Sequence, residues 1–141
     1  MFGWFNFHVF AVIGVALQFG GMMYFAFVFT PMVFRFQEAS QASKFLRKVF
    51  PFFYRLNAAI SIFPALMLFP GHTYYLEVST LLGVGAVFLF KARILLPIAE
   101  AARVGNNQVK FKKVHRISVL IYIIQIIAIL LVLISLIVNI D

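Results

Sequence analysis

The sequence contains no cysteine, only four acidic residues, and a charged fraction of just 11% over 141 residues. The missing cysteine excludes disulfides, thiolate metal sites and thiol nucleophiles, and leaves the redox compartment unmarked. So little charge excludes a water-facing domain, in which about 25% charged and about 45–50% apolar residues are usual; here 64% are hydrophobic. Hydrolytic chemistry is unsupported too, since there are no paired carboxylates, no Ser, His and Asp arrangement, no Gly-rich phosphate loop and no HExxH. No metal site is expected, and the chain reads as a non-enzymatic integral membrane protein.

Long apolar runs are what the sequence does have. A run of about 20 apolar residues spans a bilayer as a helix. Four such runs predict spans over 8–31, 56–76, 78–97 and 117–140. The third is carried past Lys91 and Arg93 because long basic side chains near a helix end snorkel to the interface. The expected fold class is all-α: a four-helix membrane bundle, up-down-up-down, in one transmembrane domain over 1–141. Phe36, Ala39, Leu46 and Phe50 recur at helical spacing, which predicts an amphipathic interfacial segment over 36–50 that Pro51 ends. Gly105, Asn106 and Asn107 signal a turn.

All twelve basic residues fall in two places. Arg35, Lys44, Arg47, Lys48 and Arg55 follow the first span, and Lys91, Arg93, Arg103, Lys110, Lys112, Lys113 and Arg116 surround the third connection. With four spans these two connections share a side, together with Glu38 and Glu100, while Glu77 and Asp141 lie opposite. By the positive-inside rule the basic side is cytoplasmic, or the matrix of a mitochondrion, and both termini face away from it. The expected location is a bacterial or mitochondrial inner membrane. A secretory signal peptide is not expected, because residues 1–7 lack a positive n-region. Aromatic-rich apolar runs separate the basic residues, which argues against nucleic acid as a partner. Membrane lipids and neighbouring membrane subunits are the expected partners, with Arg35, Lys44, Arg47, Lys48, Lys110, Lys112, Lys113 and Arg116 as candidate contacts to anionic headgroups.

Two polar stripes interrupt the apolar runs. His115, Ser118, Tyr122 and Gln125 follow steps of three, four and three on the fourth span, and Tyr54, Asn57 and Ser61 do the same on the second. Both lie next to the basic connections and would turn away from lipid, forming a polar seam within the bundle. The seam is read either as interhelical hydrogen bonding or as a small cavity for an anionic or amphipathic ligand. No cofactor is expected, although His8 and His72 leave axial haem ligation as an alternative and the seam leaves quinone as another. Ala16 with Gly20, Ser61 with Ala65, and Ser79 with Gly83 show the small-xxx-small spacing of close helix approach.

Positions 46–49 match 111–114 in character at an offset of 65, and Pro31 answers Pro97 with a one-residue offset. Two repeated hairpins would give this pattern, related by an axis along the membrane normal.

His8, Gln18 with Gly20, Pro31, Phe34 and Arg35, then Phe50, Pro51 and Tyr54, Pro97, and finally His115, Arg116 and Ser118 come in a distinctive order. In that order the chain resembles the transmembrane protein 205-like group of small four-helix membrane proteins, whose core is a domain of unknown function. It departs from the group at Phe19, where a tryptophan is usual, and at Tyr122, where a small amide is usual. The resemblance implies the four-helix architecture and no particular activity. The leading functional expectation is a structural or accessory subunit of a larger membrane, bioenergetic complex, since the 19 phenylalanines supply wide apolar contact faces. The alternative is a binder of a small molecule, haem, quinone or lipid that uses the polar seam.

Overall fold

Residues 7–69 and 74–138 are described by the computed structural model, and nearly all of them lie in four long helices. We label these α1 (His8–Phe36), α2 (Ala39–Leu68), α3 (Tyr75–Val104) and α4 (Gln108–Val138). Each is long and apolar enough to cross a membrane, and no strand occurs among the described residues. In lipid the backbone has no water to bond with, so helices that satisfy their own N–H and C=O groups are the natural solution for such runs. The molecule is an all-α membrane protein.

The helices form a ring in chain order, α1 packing on α2 and α4, and α3 packing on α2 and α4. Ala11, Val15 and Met22 of α1, Ala58 and Ala65 of α2, Leu81, Val84 and Phe88 of α3, and Ile129, Val132 and Leu136 of α4 make the core. Leu120, Ile123, Ile124, Ile127, Leu131 and Ile134 of α4 point outward. Such an aliphatic exterior suits lipid, not water.

Close approach depends on two glycines, neither of them among the expected small-residue pairs. A Cβ at Gly14 would meet Cγ of Pro64 at 2.9 Å, and one at Gly85 would meet Cβ of Ser61 at 3.3 Å and the Ala58 carbonyl at 3.4 Å. Of the expected pairs, Ser61 with Ala65 is buried, whereas Ala16 with Gly20 and Ser79 with Gly83 are exposed.

Pro51 does not end a helix as the sequence suggests. α2 runs unbroken through both Pro51 and Pro64, because losing one backbone hydrogen bond at each proline costs less than opening the chain against an apolar surround. From Ala39 onward the amphipathic stretch therefore forms the first turns of α2, while Phe36 ends α1; Ala42 and Leu46 are buried with Val33 against Phe25, Phe29 and Phe50.

α1 and α3 share a device. A π-helical turn occupies Phe25–Phe29 in α1 and Lys91–Leu95 in α3, and in each a proline follows two residues after the turn, Pro31 and Pro97. A proline lacks the N–H that would bond the carbonyl four residues back and its ring crowds that carbonyl. Those carbonyls belong to Phe27 and Arg93, inside the widened turns, where the mismatch is absorbed.

The α3–α4 connection is a Schellman turn. Asn107 N–H bonds the Ala102 carbonyl, Asn106 N–H bonds the Arg103 carbonyl, and Asn106 takes a left-handed φ of 58° that Asn tolerates. Asn107 then caps α4, its Oδ1 accepting from the Lys110 N–H at 3.1 Å. Both basic connections thus lie at one end of the ring.

Candidate functional site

At that basic end a cavity of about 860 Å³ opens between the helices. Phe25 of α1, Phe50 of α2, Leu95 and Leu96 of α3 and Phe111 of α4 give it apolar walls. Five cationic side chains also line it, Lys44, Arg47, Lys48 and Arg55 from α2 and Arg103 from α3, with one acid, Glu100. Glu100 is occupied by its neighbours, bonding Arg103 one turn along α3 and lying 3.8 Å from Arg47 across the helix interface. Five positive charges against one negative leave the lining with a net charge of +4. Both ion pairs are partly exposed, and such surface pairs contribute about 0–1 kcal/mol; their effect here is to orient the two arginines.

Tyr54, Ser118 and Tyr122 form the inner part of the lining. Directly behind them is Lys91, fully buried at 0% exposure. Its Nζ lies 4.6 Å from the ring centre of Tyr54, 5.1 Å from Tyr122 and 5.6 Å from Phe88. It donates to the Ser118 carbonyl at 3.4 Å and to Gln125 Oε1 at 3.5 Å. The snorkelling expected of Lys91 is thus corrected: the first residue of the π turn projects into the bundle, and only Arg93, two residues on, is exposed. A signal for this was present, since Leu81, Val84, Phe88 and Lys91 follow the same three, four, three spacing that marked the polar stripes. Arg55, Arg103 and Glu100 were likewise not among the expected site residues.

The polar seam is divided in the structure. Tyr54, Ser118 and Tyr122 line the cavity, Gln125 is buried behind it, and His115 is an exposed side chain at its edge, stacked on Phe111 at 6.3 Å. Asn57 and Ser61 are not in the lining: Gln18 Nε2 of α1 donates to the Ser61 hydroxyl and to the Asn57 backbone carbonyl at 3.3 Å, and the Asn57 side chain donates to the Phe53 carbonyl of its own helix at 2.9 Å. Gln18 is 1% exposed and its Oε1 has no hydrogen-bond partner among the described residues. Each hairpin therefore has a buried glutamine between its helices, for Gln125 Nε2 donates to the Val84 carbonyl of α3 at 3.2 Å. Tyr122 adds a link from α4 to α1, its hydroxyl donating to the Met22 carbonyl at 2.6 Å. Tyr122→Phe keeps the ring and removes this bond; we expect a loss of about 0.6–1.7 kcal/mol, the range for interhelical hydrogen bonds in membranes, read from reversible unfolding in mixed micelles.

Of the expected anionic-lipid contacts, Lys44, Arg47 and Lys48 line the cavity. Arg35, Lys110, Lys112, Lys113 and Arg116 are exposed and outside it. At the far end, Ser135 donates to Glu77 at 2.6 Å and His8 Nε2 meets the Leu136 carbonyl at 2.8 Å, its ring 5.2 Å from Tyr74. His72 lies outside the described residues, and no cluster of three metal-ligating side chains occurs among the described ones.

The family described as a domain of unknown function, DUF4149, matches residues 13–108. The chain belongs to the DUF4149 family. The match takes in α1 from Ile13, all of α2 and α3, and the turn into α4. It includes the cationic rim from Lys44 to Arg103, Tyr54 and Lys91, whereas Ser118, Tyr122 and Gln125 follow it in sequence. Searches of curated proteins and of solved structures returned no match.

Proposed function

We propose that the protein is a non-enzymatic membrane binder whose cavity takes an anionic amphiphile, an acidic lipid or a fatty acid, from the leaflet at the basic end. What supports this most is the division of the cavity wall into a cationic rim and an aromatic and aliphatic interior. An acidic headgroup finds Lys44, Arg47, Lys48, Arg55 and Arg103, and its chain finds Phe25, Phe50, Leu95 and Leu96. The volume of about 860 Å³ lies within the range of about 300–1,000 Å³ typical of ligand pockets. Beyond Lys91 the interior is filled by Leu81, Val84, Ile129, Val132 and Leu136, which favours binding over passage across the bilayer. Haem is disfavoured by the engagement of His8 with the Leu136 carbonyl.

Titration of the purified protein with phosphatidic acid and with phosphatidylcholine in neutral micelles tests this. We expect tighter binding of phosphatidic acid, reduced several-fold by the double change Arg47→Gln and Lys48→Gln. Equal affinity for the two lipids would refute the proposal.

The wide aliphatic face of α4 supports a second reading, an accessory subunit of a larger bioenergetic complex in a bacterial or mitochondrial inner membrane. Co-migration with a large assembly on a native gel after mild extraction is then expected, and migration as a single chain would count against it. The orientation with basic connections toward the cytoplasm or matrix, and the likeness to the transmembrane protein 205-like group, belong to this proposal. They are supported by the charge distribution and by the order of His8, Gln18, Pro31, Tyr54, Pro97 and His115.

A further inference from the structure

Lys91 has the wrong surroundings for a structural cation. It is fully buried, and among the described residues no carboxylate lies within ion-pair distance of it; Glu100, the one acid on the cavity wall, is held by Arg103 and Arg47. Its two hydrogen bonds, at 3.4 and 3.5 Å, are longer than the 2.7–3.2 Å of well-made ones. Three aromatic rings face the ammonium, an arrangement that attracts a cation without neutralising it. An ionisable side chain inside a membrane bundle marks a functional site by default.

The corresponding turn in the other hairpin sharpens the contrast. Phe25 opens the π turn of α1 as Lys91 opens that of α3, and Phe25 is satisfied by stacking on Phe53 with ring centres 3.9 Å apart. The same backbone device thus holds a packed ring in one hairpin and an unneutralised charge in the other. That charge is against the cavity: Tyr54, Ser118 and Tyr122 contact Lys91 and line the cavity wall. Of the five cations of the rim, Lys44, Lys48, Arg55 and Arg103 are exposed, so water and salt screen them, whereas a charge walled by low-dielectric groups is screened far less.

We propose that Lys91 is the inner anion anchor of the cavity, holding the carboxylate or phosphate of an amphiphile against the wall formed by Tyr54, Ser118 and Tyr122. This rests on the proposal that the cavity takes an anionic amphiphile, and adds where the headgroup is held. The rim draws the anion in, and Lys91 retains it.

The test uses the full chain in neutral nanodiscs, as wild type, Lys91→Met, Lys91→Gln and the rim variant Lys44→Gln with Lys48→Gln. Each is titrated with phosphatidic acid, oleate, inorganic phosphate and phosphatidylcholine. Both Lys91 variants are expected to fold and to bind the acidic amphiphiles at least about tenfold more weakly, as when one partner of a buried charge pair is removed. That loss persists in about 0.5 M salt, while the smaller loss in the rim variant fades as its screened charges would. Binding of inorganic phosphate that depends on Lys91 keeps the anchor and identifies a free anion as its source. Wild-type affinity in the Lys91 variants overturns the anchor while leaving the cavity proposal intact, and no acidic preference in wild type overturns both. Failure of both Lys91 variants to fold makes Lys91 a structural pin and overturns the anchor.

Discussion

Gly85→Leu unfolds or loosens the bundle, whereas Gly83→Leu, two residues earlier on α3, leaves it intact. At Gly85 even a single carbon would press on Cβ of Ser61 at 3.3 Å and on the Ala58 carbonyl at 3.4 Å, both part of the α2 surface rather than the mobile end of a side chain. Leucine brings three carbons more. Extra methylenes in a packed interior commonly cost about 1–3 kcal/mol, and with no flexible neighbour to give way we expect about 3 kcal/mol or more. At Gly83 nothing lies within 4 Å of the added carbon and the position is exposed, so a leucine there only adds to the lipid-facing surface. Reversible unfolding of the two variants in mixed micelles measures the difference. Equal stability of the two would show that α2 and α3 do not approach as described.

Lys91→Met is expected to make the protein more stable, by about 1 kcal/mol. A lysine near the centre of a membrane helix costs about 2.5–3.5 kcal/mol, and a well-packed apolar replacement for a buried ionic group is often neutral or stabilising by about 1–4 kcal/mol. Against this stands the loss of the aromatic cage, at about 2 kcal/mol or more for a desolvated cation–π contact. Two long hydrogen bonds add little. Methionine is unbranched, follows the path of the lysine stem, and makes favourable sulfur contacts with rings such as Tyr54, Phe88 and Tyr122. The same unfolding measurement decides the sign. A loss of more than about 1 kcal/mol, on the scale of a good membrane hydrogen bond, would mean that the contacts of Lys91 hold the bundle together, and its retention would then need no ligand. Greater stability together with weaker anion binding is the pattern of a residue kept for function at a cost in stability.

Much of the architecture was legible because the bilayer imposes a simple rule: a span needs a long apolar run, and the four runs became the four helices. The turn at Gly105, Asn106 and Asn107 was legible for an equally local reason, since Asn tolerates the left-handed conformation and caps a helix well. Pro51 misled because proline's preference to end helices is measured where water can take over the freed carbonyl. Close packing was the least visible feature: Gly20 and Gly83 have the spacing of contact residues yet are exposed, because spacing shows which residues share a helix face but not which face meets a neighbour.

The site was half legible. Helical spacing brought Tyr54, Ser118 and Tyr122 onto inward faces, and they do line one cavity. The same spacing grouped Asn57 and Ser61 with Tyr54, but α2 lies between α1 and α3, and one stripe on it serves two interfaces. Lys91 stands near the end of the expected span 78–97, where a lysine ordinarily reaches for water, but in the structure α3 extends to Val104 and places it mid-helix. The stripe Leu81, Val84, Phe88, Lys91 pointed inward all the same, and the π turn that begins there continues it.

Native mass spectrometry of the full-length protein, taken from its own membrane with minimal delipidation, tests the central claim most directly. The cationic rim and apolar interior predict one acidic amphiphile retained per chain, at collision energies that strip phosphatidylcholine. A bare chain, or zwitterionic and acidic lipids lost alike, would contradict it.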